Sequence, residues 1–354
     1  MAEIGPWLDP TVPQSEECVG SIAIRLAPRG LVTVGELLRL GLGLRAAELA
    51  ILPERDEAVQ RLSVIGSFDL DDLRSRCWRR TDRGLAVLRR EVPEDWVVRD
   101  RRRLAPGRLA QAGTDACISI LWQLRAFPCD PDSGEMLIER CECGEPFWWA
   151  EAETLWDCVK CGRDARQLTS RSAPPDLVAE ARELAQFFRN SERPVLPKPF
   201  HGLSDFSLFS AMNWLGYFSN LELWLRPGPA NALTGYRCMK DWPSSFDESL
   251  KSVDRKDRRD VLISKLILCI KRAKDPDAER IFRKRASEFL GVPDYATEDD
   301  GGAVATNHDL RNGYITADGL YLPASVISSE WAIKMRRKNF TDPTRSQRAS
   351  GRSK

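Results

Sequence analysis

Histidine is nearly missing from this chain, whose 354 residues hold only His201 and His308. Acid–base chemistry by imidazole, and metal sites built on it, therefore have little to work with. The patterns G-x-x-x-x-G-K-[ST], G-x-S-x-G, H-E-x-x-H and G-x-G-x-x-G are also missing, which removes the sequence signatures of phosphate-loop, acyl-transfer, zinc-protease and dinucleotide chemistry. Two-metal recombination chemistry would need clustered carboxylates, and Asp299-Asp300 in a Gly-containing stretch reads better as a solvated turn. The expectation is a protein that is not an enzyme.

Net charge is missing as well: 53 Lys+Arg against 52 Asp+Glu leave +1, so no overall basic coat exists. No long apolar run is present. The most apolar stretch, Phe206 to Leu225, is interrupted by Asn213, Asn220 and Glu222, whereas a spanning helix needs about 20 mostly apolar residues. It reads as a buried core helix, with no membrane partner. The start, Met-Ala-Glu-Ile-Gly-Pro-Trp, has no basic segment followed by an apolar one, so the expected location is cytoplasmic. There the ten cysteines should be mostly reduced, and a close cysteine cluster points to metal.

What is present is an ordinary globular balance of 42% hydrophobic and 30% charged residues, long enough for two or three domains. Periodicity predicts a mainly α fold. Residues 1–99 read as a helical, helix-turn-helix-like domain: a helix over Glu16 to Ala27, a second over Val34 to Leu42 capped by Thr33 and stopped by Gly41 and Gly43, then helical segments near Arg45 to Leu52 and Asp69 to Trp78. Residues 100–170, with short Cys-Gly turns and tryptophan clusters, read as a small zinc ribbon. A linker with one helix, Asp176 to Phe188, follows over 171–200. A helical C-terminal domain spans 201–340, with helices over Arg258 to Ile270 and Asp277 to Leu290, an acidic loop over Glu298 to Asn312 and a further helix for which Pro323 suits the first turn. The Ser/Arg-rich end, 341–354, reads as a basic disordered tail.

The most specific pattern is Cys141-Glu-Cys143-Gly144 followed by Cys158-Val-Lys-Cys161-Gly162. Two cysteine turns facing each other across a hairpin supply the four tetrahedral thiolates that Zn²⁺ prefers. The first turn is one residue shorter than the second. A glycine after each second cysteine suits a chain that folds tightly round a metal and needs a positive φ. Four thiolates leave no open position, so one structural Zn²⁺ is expected, with Phe147, Trp148, Trp149 and Trp156 packed on it.

The order of these segments resembles the TniQ/TnsD family, target-selection proteins of transposons that use an AAA+ regulator. The resemblance covers most of residues 14 to 170. It rests on Glu36-Leu-Leu-Arg-Leu40 and Leu70-Asp-Asp-Leu-Arg74, on Ile120-Leu-Trp-Gln-Leu124, and on Arg140-Cys141 with the later cysteine pair. The family also carries Arg-x-Cys-Pro-x-Cys-Leu and a Cys-Pro-x-His turn. Here Arg103-Leu-Ala105-Pro106-Gly-Arg108-Leu109 and Cys129-Asp-Pro-Asp-Ser-Gly134 stand in those places, with one of the four ligands kept. The resemblance therefore implies that the family's first zinc site is lost and the second retained. It implies an adaptor that recognises target DNA, or a CRISPR effector complex such as Cascade, and recruits an AAA+ ATPase, with a homodimer left open. The alternative from another class is a zinc-containing DNA-binding transcription regulator.

Charge is segregated although it sums to +1. Arg76 to Arg108 holds eleven arginines against five acids, Lys251 to Arg285 thirteen bases against six acids, and Trp331 to Lys354 eight against one, offset by the acidic stretch Leu109 to Lys160. Such stretches can place phosphate contacts on one face. The candidate double-stranded DNA contacts are Arg99, Arg101, Arg102, Arg103 and Arg108, and Lys334, Arg336, Arg337 and Lys338.

Overall fold

A computed structural model describes residues 12–169, 171–190, 193–219, 232–255, 275–290, 313–315 and 321–323. They fall into two compact units, residues 1–240 and 241–354, and the fold is mainly α as expected. The expected divisions near residues 99, 170 and 200 all lie inside the first unit. Among the described residues, no helix is long and apolar enough to cross a membrane.

The first unit opens with α1, Val19–Arg29, whose Val19, Ile22, Ala23, Leu26 and Ala27 are fully buried. The helix ends where Val32 N–H donates to Ala27 O and Leu31 N–H to Pro28 O. Thr33 then starts α2, Val34–Glu36, with a reciprocal cap: its Oγ1 accepts from Glu36 N–H at 3.1 Å and Glu36 Oε2 accepts from Thr33 N–H at 2.9 Å. The turn continues as a π-helix, Leu37–Leu42, and stops at Gly43, which takes φ +71°. A 3₁₀ segment, Ala46–Glu54, leads to α3, Asp56–Gly66, and α4, Leu70–Ser75, the latter capped by the Asp69 side chain.

The expectation that residues 1–99 are wholly helical fails after α4. β1 (Trp78–Arg80), β2 (Leu85–Val87) and β3 (Arg90–Val92) form an antiparallel meander with Trp78 opposite Val87 and Leu85 opposite Val92. Each strand is three residues long, too short for alternation to show in the sequence. Their buried members, Trp78, Leu85, Val87 and Val92, turn toward the core.

After α5, Pro106–Ala112, and the cysteine-bearing ribbon comes α6, Pro175–Arg189. Its Phe187 and Phe188 join a buried aromatic cluster, their rings 5.4 and 5.2 Å from Phe209, which lies 4.7 Å from Trp96. Phe209 sits on α7, Asp205–Ser219, the described part of the expected core helix. α8, Ala232–Lys240, crosses α7 so closely that a Cβ on Gly235 would lie 1.7 Å from Met212 O.

In the second unit, α9 (Ser244–Arg255) and α10 (Pro276–Leu290) share an aromatic contact between Phe246 and Phe282, ring centroids 6.2 Å apart. β4 (Gly313–Ile315) pairs with β5 (Tyr321–Pro323). Pro323 therefore lies in a strand and not in a first helical turn, and the helix expected after it lies outside the described residues. The expected helix over Arg258 to Ile270, the acidic loop over Glu298 to Asn312 and the tail 341–354 lie outside the described residues.

Candidate metal centre

The two cysteine turns face each other as expected. Cys141 Sγ lies 3.7 Å from Cys161 Sγ, Cys143 Sγ lies 3.7 Å from Cys158 Sγ, and all four sulfurs lie within 4.8 Å of one another. Four sulfurs at about 2.3 Å from a central ion would stand about 3.8 Å apart at tetrahedral angles, so the donor set fits a thiolate-bound metal ion. Gly144 N–H closes the first turn on Cys141 O at 2.9 Å and Gly162 N–H closes the second on Cys158 O at 2.8 Å. Both glycines adopt positive φ, +86° and +69°, the conformation for which they were expected. Cys141 and Cys158 are buried, and Cys143 and Cys161 face solvent. Burial, followed by contacts with the neighbouring thiols, pushes the Cys141 thiol up to about 12. A bound cation reverses that preference, because it stabilises the thiolate directly.

The module is anchored from both sides. Phe147 and Trp149 are buried, and the Trp149 ring packs against α1 at Gly20, where a Cβ would come within 3.1 Å of it. Glu153 Oε2 accepts the Val34 N–H at the start of α2 at 2.9 Å, an arrangement that also suits the positive end of a helix. Trp148 is half-buried with Nε1 donating to Glu145 Oε1, and Trp156 lies under the Arg166 guanidinium at 3.8 Å.

Arg102 and Arg103, expected to contact DNA, are buried instead. Arg102 donates from Nη1 to Thr154 O at 2.6 Å and from Nη2 to Asp157 O at 3.0 Å, while its own N–H reaches Phe147 O. It ties the segment before α5 to the backbone beside Cys158. Burial pulls its pKa down to about 10. Arg103 Nη1 donates to Trp122 O and Leu124 O, and its Nε pairs with Glu139 at 3.0 Å. Neither guanidinium is free to reach a phosphate. Arg99 is half-buried and pairs with Glu54, and Arg101 lies between Asp100 and Glu139. Lys334, Arg336, Arg337 and Lys338 lie outside the described residues.

Arg108 forms the second feature of the site. Its Nη1 meets Asp130 Oδ1 and Oδ2 at 2.7 and 2.8 Å and Asp132 Oδ2 at 3.1 Å. Asp130 also accepts from Trp122 Nε1 and from the Ser133 hydroxyl and N–H, while Glu135 accepts the Gly107 and Arg108 N–H groups at the start of α5. Cys129 is buried beside this cluster. The α5 start and the 129–134 turn are thus held together by a guanidinium and carboxylates. Sequence reasoning missed the pairing, although Arg108 and the Asp130-Pro-Asp132 turn offered opposite charges at the two positions in question.

No family model matches the chain, and no curated protein matches it.

Proposed function

We propose that Cys141, Cys143, Cys158 and Cys161 hold one structural Zn²⁺, and that the protein is a non-enzymatic adaptor that selects a transposon's target and recruits an AAA+ ATPase to it. The observation that carries this reading is the paired arrangement along one frame: a closed four-thiolate cluster, preceded by an Arg108–Asp130–Asp132 cross-link at the positions where the TniQ/TnsD resemblance has its other metal site. The spacing of the sulfurs and the soft donor set favour zinc over harder cations. With every coordination position taken by a thiolate, the metal would contribute folding free energy and not a reactive water.

The helical pair α1–α2 is joined to this ribbon through Gly20 and Val34, so the metal module would act by fixing the pair's presentation to a partner. Target recognition would involve double-stranded DNA, directly or through a CRISPR effector complex. The decisive experiment is co-migration on size exclusion, with ATP, of the zinc-loaded protein and an AAA+ transposition ATPase from the same genome. A stable complex that is lost in Cys158→Ser supports the adaptor. DNA binding with no ATPase complex would identify a zinc-containing transcription regulator instead.

A further inference from the structure

We propose that the β2–β3 turn, Leu88-Arg89, and the cleft beside it contact the phosphate backbone of duplex DNA. The inference rests on the DNA recognition proposed above and names its contact surface. The turn has two residues, and both take positive φ, +47° at Leu88 and +67° at Arg89. Hairpin turns of this kind normally carry Asn-Gly, because side chains other than Gly, Asn or Asp are strained there. Glu16, at φ +58°, lines the same cleft, which therefore holds three of the six non-glycine residues with positive φ among the described residues. Strain concentrated in one place is characteristic of ligand clamps.

The cleft, about 820 Å³ in volume, is lined by Arg89, Arg90, Arg108 and Arg189 and by the acids Glu16 and Asp132. Two of the arginines are already committed. Arg90 donates to Phe187 O and Asn190 O and pairs with Asp205, and Arg189 pairs with Glu16 and Asp132. Arg108 spends only Nη1, which leaves Nε and Nη2. Arg89 is exposed, and its side chain makes no hydrogen bond or ion pair among the described residues. An acceptor oxygen entering the cleft therefore meets two guanidiniums with unspent donors, the geometry that suits phosphate. Leu88 and Phe188 are the apolar lining residues, and Phe188 is buried against Phe209, so the cleft lacks the apolar floor that would anchor a peptide.

The test uses the full-length zinc-loaded protein, a fluorescent mixed-sequence duplex of about 30 base pairs, and anisotropy titrations between about 50 and 200 mM salt. Leu88→Asn with Arg89→Gly installs the relaxed turn. It should raise the melting midpoint by about 2–4 °C while weakening DNA binding by about tenfold or more and flattening the salt dependence by about 0.9 log per log. Arg89→Gln should lose affinity without the gain in melting. DNA affinity within about twofold of wild type for both variants would overturn the proposal and leave the adaptor reading standing. Preferential binding of poly-glutamate would assign the cleft to an acidic peptide and overturn it too. A wild-type protein that binds no duplex would overturn it together with direct DNA recognition, while co-migration with the ATPase is decided separately.

Discussion

Arg108 makes its contacts to Asp130 and Asp132 through a single nitrogen, yet it joins α5 to the turn that carries Cys129. Asp130 is the hub of that cluster. Burial alone would raise its pKa, but the hydrogen bonds from Ser133, Trp122 and Arg108, with the guanidinium charge, outweigh burial and hold it below the usual carboxylate range. A folded-state pKa below the unfolded value of about 3.9 means that the carboxylate contributes stability above that pH and loses it as pH falls through the folded-state value. Denaturation curves of wild type and Asp130→Asn should therefore differ most near neutrality and converge between about pH 5 and 2. Curves that stay parallel across that range would contradict the assignment. Arg102 makes a different case, because its value lies in the fork and not in the charge. Arg102→Lys cannot serve both Thr154 O and Asp157 O with the same geometry, and a part-buried carbonyl left without a donor costs about 1–3 kcal/mol. Chemical denaturation should show a loss of about 1–3 kcal/mol, with weaker metal retention because Asp157 adjoins Cys158.

Among the elements, the ribbon is the one that a metal should govern. Its turns are closed by Cys141, Gly144, Cys158 and Gly162 amides, and they have little apolar core beyond Phe147, Trp149 and Leu155. Chelation should collapse hydrogen-exchange protection at those four amides while α6 and α7, packed through Phe187, Phe188 and Phe209, keep theirs. Equal loss in α6 and α7 would mean that the metal holds the whole unit. Cobalt substitution should give the absorption of a tetrahedral thiolate site, and Cys158→Ser should bind less than about half an equivalent. Much of this element was legible, because four cysteines and two following glycines specify the turns through local covalent geometry. The Thr33 cap and the stop at Gly43 were legible for the same reason. The meander was not, since three-residue strands acquire their meaning only from the partners opposite Trp78 and Leu85. Pro323 fits the first turn of a helix and the end of an edge strand equally well, and its pairing with Gly313 decides the matter. Gly235, unremarkable in the sequence, is demanded by the α7 backbone. Gly235→Ala should lower the melting midpoint by several degrees, because a carbonyl oxygen and not a flexible side chain occupies the place of the new methyl group.

Across the molecule, the near-neutral total conceals how the arginine-rich stretch is used. Of the eleven arginines from Arg76 to Arg108, nine are committed to carboxylates or backbone carbonyls, as with Arg76 on Asp72, Arg80 on Glu54 and Glu94, and Arg83 on Glu91. Arg79 and Arg89 are exposed and make no side-chain hydrogen bond or ion pair among the described residues. A run that looks like a phosphate-binding surface in sequence is thus mostly internal cross-linking, because its bases meet acids both within it, at Glu91, Glu94 and Asp100, and in other segments, at Glu54 and Asp72 before it and Asp130, Glu139 and Asp205 after it. Within this run the count of free cations among the described residues, and not the net charge, then sets how strongly salt should weaken the proposed DNA binding. Each phosphate neutralised contributes about 0.9 log units of affinity per log unit of salt. Replacing Arg79 and Arg89 together by alanine should flatten the slope of the full-length protein by about 1.8. Arg80→Ala should change it by much less, since Arg80 must first give up Glu54 and Glu94 to meet a phosphate. Titration of the three proteins over the same salt range measures both quantities, and an equal change in slope for Arg80→Ala would show that the ion pairs open on binding.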